Sequence, residues 1–109
     1  MEQEMRSILM AGKFRREPSH PGTLLREVVL PAMRVSVAEA ARELGVSRQQ
    51  LYKILRNERA VTAEMATRLG RYCGNGPELW LNMQSNFDLW HVEHDLAEEL
   101  ERIPTRAAV

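Results

Sequence analysis

The stretch AEAARELGVSRQQLYKIL, Ala38 to Leu55, restricts the fold more than any other part of the chain. Just before it, Ser36-Val37-Ala38-Glu39 has the form of a capping box. The serine oxygen accepts from the backbone of the third helical residue, and the glutamate reaches back. Val37, Ala40, Ala41 and Leu44 then fall at i, i+3, i+4 and i+7, the buried stripe of a short helix. Gly45 ends that helix, because the chain must turn there through a left-handed conformation that glycine adopts at no steric cost. Ser47-Arg48-Gln49-Gln50 is a second capping box, and Leu51, Ile54 and Leu55 are the buried stripe of the helix it opens. Ala41 is small where the two helices approach, and Leu44, Val46, Leu51 and Ile54 lock them across their angle. This is the packing logic of a helix-turn-helix.

Burying Leu51, Ile54 and Leu55 decides what the second helix exposes. Gln49, Tyr52, Lys53 and Arg56 recur at i, i+3, i+4 and i+7 and share the outer face, with Arg48 beside them in the first turn. The N-terminal end of such a helix is where base edges are read in the major groove. Arginine matches the guanine O6 and N7 pair, and glutamine the adenine N6 and N7 pair. Arg48 and Gln49 are therefore assigned to bases, and Tyr52 and Lys53 to bases or phosphates. Ser47, Arg56, Asn57, Arg59 and Thr62 are expected at phosphates, since the start of a helix favours anions. Many amphipathic helices expose arginine and glutamine to water alone. The combination of Ala41, Gly45, Ser47, Leu51 and Ile54 with two capping boxes separates this stretch from those.

The remaining punctuation is also helical. His20-Pro21-Gly22 opens a first helix carrying Leu24, Leu25, Val28 and Val29, and Pro31 is expected to stop it. Thr62 caps a fourth helix, with Glu64 in its first turn and Met65, Ala66, Leu69 and Tyr72 along one face. Cys73-Gly74-Asn75-Gly76 breaks that helix and Pro77 starts a fifth. There Trp80, Met83, Phe87 and Trp90 form a stripe, read as core or as homodimer interface. Val92, Leu96, Leu100 and Ile103 extend or follow that helix, and Pro104 ends the pattern. No alternating strand pattern or hairpin signal occurs. The expected fold is all-α: a five-helix, phage-repressor-like helix-turn-helix domain over residues 18–92. An N-terminal arm, 1–17, precedes it, and an acidic helix and tail, 93–109, follow.

Formal net charge is zero over 109 residues, but it is unevenly spread. Met1 to Tyr72 holds thirteen Lys and Arg against eight Asp and Glu, and Cys73 to Val109 holds two against seven. A basic first part suits DNA. An acidic last part suits a basic partner, shielding, or simple solvation. Lys13, Arg15 and Arg16 form either a basic arm touching phosphate or a solvated tail. No run reaches the roughly 18 to 20 apolar residues that span a bilayer. No signal peptide is read, and the single Cys73 forms no internal disulfide, so the expected location is cytoplasmic. His91 and His94 are an i, i+3 pair without enough further ligands for a metal site. No serine has a nucleophile-elbow context, and nothing is placed to activate Cys73. Neither enzyme activity nor any cofactor or metal is expected.

The stretch HPGTLLREVVLPAMRVSVAEAARELGVSRQQLYKILRNERAVTAEMATRLGRYCGNGPELWLNMQSNFDLW, His20 to Trp90, resembles antitoxins of the HigA/VapI type in the XRE superfamily of helix-turn-helix proteins. His20-Pro21-Gly22, Thr62-Ala63-Glu64-Met65-Ala66 and the segment from Pro77 to Gln84 with Asp88-Leu89-Trp90 make the resemblance specific. It implies a homodimer that binds double-stranded DNA at its own operator, represses its own operon, and neutralises a RelE-like, mRNA-cleaving toxin. Glu58 departs from the family pattern, where glycine is frequent, which puts the nearby phosphate contact in question. Two other readings stay open: a stand-alone regulator with the same DNA mode and no toxin, and a protein-interaction module that has lost DNA binding.

Overall fold

The computed structural model describes residues 16–106. The Lys13 and Arg15 positions of the basic arm, like most of the 1–17 segment, lie outside the described residues. Six helices and no strand occur among the described residues. The first, α1, is continuous but not uniform. It has an α-helical turn at Pro21–Leu24, a π-helical turn at Leu25–Val29 and an α-helical turn at Leu30–Met33. Then come α2 (Val37–Leu44), α3 (Arg48–Leu55), α4 (Ala63–Cys73), α5 (Pro77–Asp95) and α6 (Ala97–Glu101).

Pro31 does not stop the first helix, contrary to the expectation from its sequence. A proline inside an α-helix removes one N–H and drives its ring against the carbonyl four residues back. Here the preceding turn widens, with the Leu30 N–H reaching the Leu25 carbonyl five residues back, and Pro31 sits in the first turn of the next α-helical segment. A π turn inserts one residue into the helical register. Leu25 and Leu30, five apart, are therefore both buried. Val28, placed with the apolar face by simple helical spacing, turns outward and is 55% exposed.

The three polar caps form as expected. Ser36 Oγ accepts from Glu39 N–H at 3.1 Å, Ser47 Oγ from Gln50 N–H at 3.0 Å, and Thr62 Oγ1 from Met65 N–H at 3.2 Å. The Ser36 hydroxyl in turn donates to Glu39 Oε1 at 3.3 Å. Gly45, at φ 74°, closes α2, and the Val46 N–H returns to the Ala41 carbonyl at 3.0 Å. The last carbonyl of α2 is capped from outside the helix: Arg68 on α4 donates from Nη1 to the Leu44 carbonyl at 2.8 Å. An arginine is well matched to the negative end of a helix dipole.

The core is built from Leu25, Leu30, Ala40, Ala41, Leu44, Leu51, Ile54, Leu55, Val61, Met65, Ala66, Leu69 and Trp80. Of the helix-turn-helix residues, Ala41, Leu44, Leu51 and Ile54 are buried in this core and Val46 is half-buried at its rim. Trp80 has no exposed surface, so its indole belongs to the intrachain core and is unavailable to a second copy. Met83, Phe87 and Trp90, the other residues of that stripe, are half-buried. Helix α5 runs unbroken past Val92 to Asp95.

Candidate nucleic-acid interface

Helix α3 carries the candidate face. Its inner side is Leu51, Ile54 and Leu55, all buried, and this fixes its rotation against α2. Arg48, Gln49, Tyr52, Lys53 and Arg56 are consequently all exposed. The Arg56 guanidinium lies over the Tyr52 ring, 5.4 Å from its centroid, a cation–π contact that orders both side chains on one turn. The ion pairs among the described residues are Arg26–Glu27, Arg68–Glu64 and His91–Glu17. None involves Arg48, Lys53, Arg56 or Arg59, so these four cations face solvent without a carboxylate partner among those residues.

The segment from Arg56 to Thr62 joins α3 to α4 and is anchored from behind. Asn57 takes the left-handed conformation, φ 62°, that asparagine tolerates better than most residues. Its Nδ2 donates to Thr23 Oγ1 at 3.0 Å, and its backbone N–H donates to the Ile54 carbonyl at 3.0 Å. Asn57 thus ties the loop to α1, an intrachain task that its assignment to phosphate did not include. Arg26 adds a hydrogen bond from α1 to the Leu55 carbonyl at the end of α3. Ser47 and Thr62 accept backbone N–H groups as caps, which leaves each hydroxyl proton free to donate outward.

Two buried polar side chains in this region were not legible as site residues. Gln84, on α5, is 5% exposed, and its Oε1 accepts from the Val61 N–H at 2.8 Å. His20, 3% exposed, caps α1 by accepting the Gly22 N–H on Nδ1 at 2.9 Å. Burial holds its pKa below the usual histidine value, while Asp88 and the Arg59 backbone push it back up. A ring nitrogen that accepts a backbone N–H carries no proton, so Nδ1 is the unprotonated nitrogen here. The signal available in the sequence was spacing: Trp80, Gln84 and Asp88 lie four residues apart on one helical face. A polar group there needs a named partner before burial can be argued.

The remaining candidates fall elsewhere. His91 Nε2 contacts Glu17 Oε1 at 2.9 Å, and His94 Nδ1 donates to the Trp90 carbonyl at 2.7 Å. Trp90 also stacks on His94, with ring centroids 3.9 Å apart. Cys73 is half-buried, and burial pushes its thiol pKa up, the opposite of nucleophile activation. No described helix is long and apolar enough to cross a membrane.

A helix-turn-helix family model matches residues 25–81. The chain is 42% identical over 85 residues to virulence-associated protein I of Dichelobacter nodosus, covering 78% of this chain and 79% of that protein. Among solved structures, the antitoxin HigA of Pseudomonas aeruginosa with the higBA promoter superposes with a TM-score of 0.76. It is 34% identical, over 84% of this chain and 99% of that one. The antitoxin GraA in complex with its operator gives 0.77 at 38% identity, over 86% and 95% of the two chains. The family model spans the whole helix-turn-helix with its Ser36, Ser47 and Thr62 caps, and the chain belongs to the XRE superfamily of helix-turn-helix proteins, in the HigA/VapI-type antitoxin family.

Proposed function

We propose that this chain is the antitoxin of a toxin–antitoxin pair. It binds its own operator as a dimer through α3, represses its operon, and neutralises a RelE-like, mRNA-cleaving toxin. The observation that carries the DNA part is the outer face of α3: three cations and an amide on one exposed surface, none of the cations paired to a carboxylate among the described residues, beside the capped start of α4. The likeness to HigA and GraA, each solved with promoter or operator DNA, supports the same use here.

Arg48 and Gln49 read base edges, Arg48 a guanine and Gln49 an adenine. Tyr52 and Lys53 reach bases or phosphates. Ser47, Arg56, Asn57, Arg59 and Thr62 hold phosphates and fix the register. Arg48→Ala is expected to weaken binding to the duplex upstream of the reading frame by about 1 to 3 kcal/mol and to relax preference at one base pair. Arg59→Ala is expected to weaken all duplexes alike and reduce the salt slope by about one. Fluorescence anisotropy on upstream and scrambled duplexes at several salt concentrations reads both. Equal losses on the two duplexes for Arg48→Ala would refute its base assignment.

The C-terminal part supplies the protein partners. Leu89, Val92, Leu96, Leu100 and Ile103 are all exposed and recur at three- and four-residue steps along α5 and beyond α6. A second copy seated on this stripe would bury it and hold two recognition helices at the fixed spacing that operator half-sites require. Flanking Glu93, Asp95, Glu98, Glu99 and Glu101 make the same end acidic, which favours encounter with a basic toxin. Reversing Glu98, Glu99 and Glu101 to lysine is expected to slow toxin association, most at low salt, by stopped-flow fluorescence. An unchanged rate would sink the electrostatic role.

A further inference from the structure

Helix α5 lies outside the helix-turn-helix, yet it holds the loop on which that unit's phosphate contacts depend. Val61 is 2% exposed, so its N–H has no access to water and needs an acceptor inside the protein. Gln84 Oε1 provides it at 2.8 Å. The other end of the same amide, Nε2, donates to Asp88 Oδ1 one turn further along α5 at 2.9 Å. A backbone N–H requires an oxygen and a carboxylate requires a donor, so only one orientation of the Gln84 amide satisfies both neighbours. Two residues back, the Arg59 backbone lies beside buried His20, whose ring packs edge-on against Phe87 of α5 at 5.0 Å. The loop from Arg59 to Thr62 is thus pinned from inside at Val61, and Arg59 and Thr62 are left facing out.

We propose that Gln84, oriented by Asp88, is a positioning residue for DNA binding: it fixes the Arg59–Thr62 backbone so that Arg59, Thr62 and the start of α4 present donors to the phosphates together. This rests on the DNA-binding reading above. Gln84 touches no DNA and reads no base. Its removal therefore affects the sequence-independent contacts and spares the discrimination carried by Arg48 and Gln49.

The test compares three proteins on upstream and scrambled duplexes across a salt series, each first checked by circular dichroism melting. Gln84→Leu keeps bulk but offers Val61 no acceptor. It is expected to bind both duplexes more weakly, with a salt slope smaller by about 0.9 for each phosphate no longer neutralised, and with the ratio between duplexes unchanged. The paired exchange Gln84→Glu with Asp88→Asn reverses the amide and the carboxylate. The introduced carboxylate accepts from both Val61 N–H and the introduced amide, so this protein is expected to recover the salt slope. A folded Gln84→Leu protein with unchanged slope and affinity overturns the proposal. If Gln84→Leu fails to fold, the paired exchange decides: restored stability and slope support the positioning role, and restored stability with a low slope overturns it. Failure of the DNA-binding reading is separately visible, as absence of a salt-dependent preference in the unsubstituted protein.

Discussion

Trp80→Ala is expected to cost about 3 to 5 kcal/mol of folding stability, read as a lower midpoint in urea unfolding. Trp80 is the largest of the fully buried side chains, at the first turns of the helix that closes the domain over α4. Truncation removes most of an indole from a packed interior, and the backbone on either side is too constrained by helix geometry to collapse into the space. The indole hydrogen bond matters less. Nε1 donates to Asn75 Oδ1 at 3.1 Å, and Asn75 is exposed, so water replaces the donor. A domain of this size is stable by only about 5 to 15 kcal/mol, so the variant would lose a substantial share of its margin. Trp90→Ala is the control. That ring is half-buried against exposed His94 and is expected to cost much less. A small effect of Trp80→Ala would mean that α5 is not integral to the core, and the anchoring of the phosphate loop from α5 would fail with it.

The helix-turn-helix was legible because its determinants are local. Ser47 caps a backbone group three residues away, Gly45 turns the chain at one position, and Ala41, Leu44, Leu51 and Ile54 follow from helical periodicity alone. Every candidate base-contacting side chain is exposed for the same reason. What escaped depends on contacts between distant parts of the chain. Pro31 reads as a stop, since nothing in its immediate neighbours announces a π turn. The burial of both Leu25 and Leu30 rewards that turn, and each depends on the rest of the core. Nothing adjacent to Gln84 announces its anchoring task, because the Val61 N–H that it accepts is 23 residues away. Trp80 and Trp90 look alike in the stripe of α5, and only the fold separates the core tryptophan from the half-buried one.

Gly22→Ala is expected to destabilise the protein by about 3 kcal/mol or more, the upper range for forcing an extra carbon into a packed interior. In an isolated helix the same change would be favourable by about 0.5 to 1 kcal/mol, because alanine is the better helix former. The surroundings reverse the sign. A Cβ on Gly22 would stand 1.9 Å from the Ile54 carbonyl oxygen, 2.9 Å from its carbon and 2.8 Å from Asn57 Oδ1. The first two are backbone atoms in the last turn of α3, which cannot rotate away as a side chain would. Relief requires α1 and α3 to separate. Separation strains the Thr23–Asn57 and Arg26–Leu55 hydrogen bonds that steady the start of the phosphate loop. Urea unfolding reads the drop in stability. Anisotropy on upstream and scrambled duplexes reads the second effect, a weakening on both that exceeds any unfolded fraction. A variant more stable than the original would show that α1 does not rest against the end of α3. The His20-Pro21-Gly22 entrance would then be an ordinary helix start with no hold on the DNA-facing loop.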